Sequence, residues 1–211
     1  MKKLDRFRTS SNRGLSDFTA FDYVLMFFGL PVELDKGKIH RAPEVTWILL
    51  IFSVLISLMA FKYEFLRNLI SFKQSDFILK KLFNCVTVFF VHADIWHLLS
   101  NMYFLYVFGD NVENELGRKK YLALIFCATA VGTLSYGYFF SNSGRVLVGA
   151  SGGIMGVMTF YLLRFPSSRF AMLFLFYPFI VPGWAFMVLF FFKDIFGLVL
   201  QANHMTHVSH M

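Results

Sequence analysis

Long apolar runs separated by short polar links dominate the sequence from residue 45 onward. A transmembrane helix needs about 20 predominantly apolar residues, with a lower limit near 17. Proline and polar residues interrupt the runs, and such residues mark helix ends and turns. The pattern therefore predicts an all-α fold, a polytopic bundle of membrane-spanning helices. The predicted helices cover residues 45–61, 95–112, 121–140, 151–164 and 184–200.

Three other segments do not have the pattern of a span. Residues 18–30 are apolar but contain Asp22 and end before Pro31, which predicts a short interfacial or docking helix. Residues 62–91 mix basic and aromatic side chains, which is typical of amphipathic pieces at a membrane surface. Residues 170–183 are apolar but contain two prolines, so we expect part of this segment not to be helical.

The composition also indicates a membrane protein and suggests which partners to expect. The chain is 57% hydrophobic and only 16% charged, whereas about a quarter of the residues in a soluble domain are charged. The net charge of +7 is explained by basic residues that flank spans and contact anionic lipid head groups. We therefore expect a lipid bilayer as a partner and no nucleic acid. The two cysteines predict neither a disulfide framework nor a CxxC pair.

The distribution of lysine and arginine predicts the orientation of the chain. If the spans alternate, thirteen basic residues lie on the side of the N-terminus and six on the other side. Because cytoplasmic loops are enriched in basic residues, we expect a cytoplasmic N-terminus. The chain then divides into a cytoplasmic or interfacial segment, residues 1–44, and a transmembrane domain, residues 45–211.

A pair of polar residues lies near the start of the second predicted span. His97 and Asn101 are four residues apart, so they share one helix face and are able to donate hydrogen bonds toward one point. Ionisable residues within spans are rare and indicate a functional site. They also serve as structural hydrogen-bonding partners between helices. The pair alone leaves both interpretations open.

The glycine-rich stretch GASGGIMG, residues 149–156, also has two interpretations. Gly152 and Gly156 form a GxxxG pattern, which is typical of close packing between membrane helices. Ser151 is instead a candidate nucleophile, because it lies near the start of the fourth helix. The first amides of a helix have no internal partner, and the positive end of the helix dipole there stabilises an oxyanion. Glycines such as Gly149 and Gly152 allow a substrate backbone to approach closely.

A serine hydroxyl needs a base to become an effective nucleophile. The last residues supply three candidates, His204, His207 and His210, which do not point the same way on a helix. A metal site is the alternative, but no HExxH sequence or cysteine pair supports it. We therefore expect neither a metal ion nor a small-molecule cofactor.

Three stretches, in this order, resemble the rhomboid family of intramembrane serine proteases. FFVHADIWHLLSNMYFLYVFGDNVENELG, residues 89–117, is similar to the family's His-x4-His-x3-Asn helix and to the Glu-x3-Gly that follows it, here Glu113 and Gly117. GASGGIMG resembles its Gly-x-Ser-Gly motif. HVSHM, residues 207–211, resembles the start of its last core helix, where an apolar residue and two glycines normally follow the histidine. The resemblance covers residues 45–211.

The resemblance implies a Ser–His dyad without a third acid. Ser151 matches the nucleophile and His210 the general base, with His207 as the nearby rival. The backbone amide of Ser151 and the side chains of His97 and Asn101 would hold the oxyanion. The remaining positions expected to support the site are His92, Gly149 and Gly152.

The resemblance also implies a fold and a substrate class. The fold would be the family's six-helix core, with a site that opens to the extracytoplasmic side. Because the sequence given stops one residue after His210, the sixth helix is largely missing, and we expect a fragment of a longer protein. The substrates would be membrane-anchored proteins, cut in or beside their transmembrane segments. The alternative is a catalytically inactive relative that binds membrane helices for quality control or trafficking.

Overall fold

The computed structural model describes residues 17–35, 42–73, 76–139, 146–174, 177–188 and 192. In chain order, the helices are α1 (Ala20–Phe27), α2 (Glu44–Lys62), α3 (Glu64–Ile70), α4 (Ile78–Thr87), a short 3-10 helix (Val88–Phe90), α5 (Ile95–Leu116), α6 (Arg118–Phe139) and α7 (Ser151–Arg164). The strands are β1 (Val32–Glu33), β2 (Phe72–Lys73), β3 (Val146–Leu147), β4 (Arg169–Phe174) and β5 (Tyr177–Pro182). Residues 183–188 are also helical.

The predicted class, a helical membrane bundle, is confirmed, and two small sheets accompany the helices. Within the described residues, α2 and α6 are each long and apolar enough to cross a membrane. The segment Ile78–Phe90 and α5 pass the same criterion together as a pair bent by 81°. The predicted spans at 45–61, 95–112, 121–140 and 151–164 correspond to α2, α5, α6 and α7. Most of the predicted span at 184–200, and the sixth helix, lie outside the described residues.

The chain divides into two compact units. The described residues between 42 and 161 belong to the first unit, and those at 17–35 and from 162 onward belong to the second. The division predicted at residue 44 stays a prediction.

A buried carboxylate joins three helices of the first unit. The first residues of α2 have no side-chain cap of their own, because Pro43 occupies the N-cap position. Glu113 of α5 supplies the missing acceptors: it accepts from the backbone N–H groups of Val45 (3.0 Å) and Thr46 (2.8 Å) and from the Thr46 hydroxyl (2.9 Å). The Thr46 hydroxyl also lies 3.1 Å from the Tyr121 hydroxyl of α6. Glu113 therefore fixes the start of α2 against α5 and α6.

The segment between α2 and α5 is amphipathic, as the sequence predicts. Helix α4 buries Asn84 and Cys85 and exposes apolar side chains on its other faces. The Asn84 amide donates to the Ser71 carbonyl (2.7 Å), and the Thr87 hydroxyl donates to the Ile70 carbonyl (3.0 Å). These bonds hold α4 against the end of α3 and the start of β2.

The second unit is built around an antiparallel sheet with strand order β1-β4-β5. The β4–β5 hairpin confirms that part of residues 170–183 is not helical. Asp35 accepts from the Arg169 side chain through Nε (3.0 Å) and Nη2 (2.8 Å) and from its backbone N–H (2.9 Å). Hydrogen bonding to Asp35 and its negative charge raise the pKa of the Arg169 guanidinium.

Helix α1 packs on this sheet and confirms the helix expected within residues 18–30. A capping box formed by Thr19 and Asp22 begins the helix. Met26 of α1 packs in an apolar cluster with Val32, Leu34 and Ala171, and all four are buried.

Candidate active site

The loop that precedes Ser151 is held at two points. Strand β3 pairs with β2, so that Leu147 is opposite Phe72. Two residues later, the backbone N–H of Gly149 donates to the Val88 carbonyl at 3.0 Å. The 3-10 helix and β2 therefore fix the direction in which the chain enters α7.

Ser151 is the first residue of α7 and is exposed. The Ala150 carbonyl accepts from the Ile154 N–H at 3.0 Å, which makes Ala150 the N-cap residue. The N–H groups of the first helical residues have no acceptor within the helix, and the dipole is positive at this end. Ser151 thus combines an exposed side chain with a backbone N–H that belongs to the positive end of a helix.

The glycines after Ser151 pack against α6. A Cβ atom at position 156 would lie 2.5 Å from Ala128 Cβ, and one at position 153 would lie 2.6 Å from Thr129 Oγ1. Gly152 lies against the backbone of the same helix, where a Cβ atom would be 3.5 Å from the Ala128 carbonyl oxygen. The GxxxG pattern thus serves helix packing, while Ser151 stays exposed at the helix start. The two interpretations of this stretch are compatible.

His97 and Asn101 lie beside the loop that carries Ser151. Asp94 caps α5 by accepting from the His97 N–H at 2.8 Å, so His97 is in the first turn and Asn101 one turn later. Gly149 has a φ of +121°, and a Cβ atom there would lie 2.8 Å from His97 Nε2 and 3.8 Å from Asn101 Nδ2. Both side-chain nitrogens therefore approach the backbone two residues before Ser151.

The Asn101 amide nitrogen is a buried donor that is not used within the described residues. Asn101 is 7% exposed, and its Nδ2 has no hydrogen-bond partner in this part of the chain. A buried donor without a partner costs free energy, and such groups are characteristic of functional sites. This unused donor lies beside Gly149, 3.8 Å from the position of a Cβ atom built there.

His92 is buried behind His97. Its Nδ1 lies 2.9 Å from the Ser57 hydroxyl of α2, and that hydroxyl donates to the Phe90 carbonyl at 2.9 Å. Because the hydroxyl has a single proton, Nδ1 of His92 must be the protonated nitrogen and donate to Ser57. The rings of His92 and His97 meet edge to face, with centroids 5.2 Å apart. His92 thus connects α2 to His97 through one hydrogen bond and one ring contact.

Ser57 is the residue of this cluster that the sequence reasoning missed. A signal was present: Ser53 and Ser57 are four residues apart in an otherwise apolar span, and both are buried in the structure. Polar residues repeated on one face of a membrane helix indicate a polar neighbour.

The structure brings together Ser151, Gly149, His97, Asn101 and His92, but it does not test their roles. His204, His207 and His210 lie outside the described residues. The identity of the base therefore stays a prediction.

Comparison with known proteins gives a family match over most of the site. A family model described as "Rhomboid domain" matches residues 79–211. Rhomboid-like protein 11, chloroplastic, from Arabidopsis thaliana is 32% identical over 137 residues, which are 62% of this chain and 47% of that protein. Presenilin-associated rhomboid-like protein A, mitochondrial, from Danio rerio is 31% identical over 124 residues, 58% of this chain and 32% of that protein.

A relative from yeast has a similar identity and coverage. Rhomboid protein 1, mitochondrial, from Saccharomyces cerevisiae is 28% identical over 117 residues, 53% of this chain and 32% of that protein. The chain thus spans between about a third and a half of the length of these curated relatives. The family model covers more than half of this chain, and α2 and α6 have the length and composition of membrane spans. This chain is therefore an integral membrane protein that belongs to the rhomboid family.

Proposed function

We propose that this chain is an intramembrane serine endopeptidase that cleaves membrane-anchored proteins in or beside their transmembrane segments. One observation carries the proposal: His97 Nε2 and Asn101 Nδ2 approach the backbone at Gly149, two residues before a serine at the start of a helix. In the proposed site, the Ser151 N–H and the two side chains supply three hydrogen-bond donors to one oxyanion. Donors in that geometry stabilise the oxyanion of acyl transfer.

In the proposed reaction, the Ser151 hydroxyl oxygen attacks the carbonyl carbon of the scissile peptide while the His210 imidazole accepts its proton. The oxyanion that forms accepts hydrogen bonds from the Ser151 N–H, His97 and Asn101. The carbon–nitrogen bond then breaks, and His210 gives the proton to the leaving amine. Water, activated by His210, hydrolyses the serine ester and releases the carboxylate product. These steps use only side chains, backbone groups and water.

The proposed substrates follow from the position of the site in a membrane protein. Peptide hydrolysis needs water, and irregular backbone below the lipid surface is tolerated where it lines a water-filled cavity. A helical substrate shields its carbonyl groups with internal hydrogen bonds, so it must unwind before attack. Segments with weak helical propensity are therefore the preferred substrates. We further propose a multi-pass topology with a cytoplasmic N-terminus and a site that opens to the other side.

Labelling with a fluorophosphonate tests the nucleophile. We expect the full-length protein to react, and Ser151→Ala to abolish labelling and to lower cleavage of a transmembrane reporter by about 10⁴-fold or more. Ser53→Ala is the matched control. Because Ser53 is buried in α2, we expect its substitution to leave labelling unchanged. Labelling that survives Ser151→Ala would show that another residue is the nucleophile.

The same assay separates the protease from its alternative. A protein that binds the reporter but neither cleaves it nor reacts with the probe would be a catalytically inactive relative. His210→Ala is expected to abolish cleavage, and His207→Ala to retain it.

Substitution of Asn101 tests the oxyanion site. We expect Asn101→Ala to lower kcat for the reporter by about 10²–10³-fold, the usual effect of removing one oxyanion donor. Stability should change little, because Nδ2 makes no hydrogen bond within the described residues. The readouts are kcat and the melting temperature in detergent.

Asn84 provides a control of the same residue type. Its Nδ2 donates to the Ser71 carbonyl at 2.7 Å in a fully buried position, so Asn84→Ala is expected to lower the melting temperature. Equal losses of stability in both variants, or an Asn101→Ala protein that keeps its turnover, would contradict the assignment of Asn101.

A further inference from the structure

Helix α1 exposes an apolar stripe to its surroundings. Phe21 and Val24 of the helix and Phe28 at its C-cap are 67%, 51% and 61% exposed, and their spacing of three and four residues places them on one side. Asp22 and Met26 lie on the opposite side and are buried. The face that carries Asp22 and Met26 packs in the second unit, and the apolar face, the α1 stripe, points outward.

Three acidic groups near the α1 stripe are buried or paired, whereas Asp17, which precedes the helix, is exposed. Asp22 is 6% exposed and closes the capping box with Thr19. Glu33 is also buried, and Asp35 is engaged by Arg169. Among the described residues of α1, no charged side chain interrupts the exposed stripe.

Basic residues flank the same region along the chain. Residues 1–16 contain five lysines and arginines and one aspartate. Residues 36–41, KGKIHR, contain three more and no acid. An apolar helix face combined with nearby basic residues is the composition of helices that lie in the surface of anionic membranes.

We propose that the α1 stripe lies in the surface of an anionic lipid membrane, parallel to the bilayer plane. The chain itself holds α1 near the membrane, because only residues 28–43 separate α1 from the span α2. A linker of this length extends at most about 55 Å, so the membrane is always within reach. With eight residues, α1 is too short to cross the bilayer and inserts only to the depth of its stripe. The basic segments on both sides supply the preference for anionic lipid.

Spin labelling in the full-length protein tests this position. Val24→Cys carries the label within the stripe, and Tyr23→Cys carries it on another face of the same helix, both in a background with Cys85→Ala and Cys127→Ala. The protein is reconstituted into vesicles of phosphatidylcholine, with or without phosphatidylglycerol. Collisions with molecular oxygen report lipid exposure, and collisions with a water-soluble nickel chelate report water exposure.

We expect the ratio of oxygen to nickel collisions at position 24 to exceed that at position 23. We also expect this ratio to rise several-fold when phosphatidylglycerol is present. Replacing Lys2, Lys3, Arg6, Arg8 and Arg13 with glutamine should remove the rise. Melting temperatures of the labelled proteins verify that the fold is retained, since Val24 is exposed and its replacement removes little packing.

Three results would overturn the proposal. Equal nickel collisions at the two positions would mean that the stripe faces water. An oxygen-to-nickel ratio at position 24 that does not respond to phosphatidylglycerol would show that anionic lipid plays no role. Protection from both reagents would place protein over the stripe, and dipolar broadening would identify that protein as a second copy of the chain. Because none of these readouts depends on proteolysis, they leave the proposed function untouched.

Discussion

Gly149→Ala is expected to remove most of the proposed protease activity while the helical fold remains. The backbone φ of +121° is one that side chains rarely adopt, and a Cβ atom would lie 2.7 Å from His97 Cε1 and 2.8 Å from His97 Nε2. The methyl group must therefore displace the His97 ring or the loop itself. Either movement displaces a side chain or a backbone group that we propose to hold the oxyanion. We expect kcat to fall by about 10²-fold or more, the usual cost of a lost or misplaced oxyanion donor.

Gly117→Ala is the matched control for this substitution. Gly117 also has a positive φ, +76°, but a Cβ atom there would meet nothing within 4 Å. Both variants carry backbone strain of about 1–3 kcal/mol, and only the first carries the clash with His97. Turnover of the reporter and the rate of fluorophosphonate labelling, measured beside the melting temperature, separate the two effects. Equal losses of turnover in both variants would show that strain, rather than the position of His97, limits activity.

Much of the helical architecture could be predicted from the sequence, because it depends on local pattern. The apolar runs gave the bounds of α2 and α6 to within a few residues, and the fourth run matches α7 at both ends. The spacing of His97 and Asn101 placed them on one face, and the structure brings them to the same glycine. Periodicity and helix-end rules act over a few residues, so they need no knowledge of the fold.

Contacts between distant segments could not be predicted in the same way. The bond between His92 and Ser57 depends on where the chain breaks between the 3-10 helix and α5. The Asp35–Arg169 ion pair joins residues 134 positions apart, and β1 has only two residues, too few for a periodic pattern. The strands β2 and β3, which orient the loop before Ser151, are equally short. Such pairings depend on tertiary register, which no local signal encodes.

The amphipathic helices show a related limit. Sequence periodicity indicates that α1 and α4 each have two different faces, but it does not say which face contacts the rest of the protein. In both helices, a polar side chain is turned inward, Asp22 in α1 and Asn84 in α4, and large apolar side chains are exposed. This inversion is typical of a protein whose solvent is partly lipid, since exposed apolar surface carries no penalty there.

Glu113→Ala is expected to cause the largest loss of stability among the substitutions considered. The carboxylate is 4% exposed and accepts three hydrogen bonds at the start of α2. Removing it leaves two buried backbone N–H groups without their acceptor, while the Thr46 hydroxyl keeps the Tyr121 hydroxyl as an acceptor. We expect the free energy of unfolding to fall by about 3–5 kcal/mol. Unfolding in mixed detergent micelles, followed by circular dichroism, measures the change.

Glu44 provides the control, since it is an acidic residue in the first turn of the same helix. Glu44 forms an ion pair with Arg118, and both side chains are 55% exposed. Glu44→Gln should therefore cost at most about 1 kcal/mol. A loss in Glu113→Ala no larger than that in Glu44→Gln would show that α2 does not depend on the carboxylate for its position.

Glu113→Gln distinguishes the effect of lost packing volume from the effect of lost hydrogen-bond acceptors. Glutamine has nearly the same volume, but one of its two terminal groups is a donor. The two carboxylate oxygens of Glu113 face different donors: one accepts from the Val45 N–H, and the other accepts from Thr46. In either orientation the amide must place its NH₂ group against an N–H, so at least one bond is replaced by a repulsive contact. We therefore expect Glu113→Gln to lose at least half of the stability lost by Glu113→Ala, although it removes no packing volume.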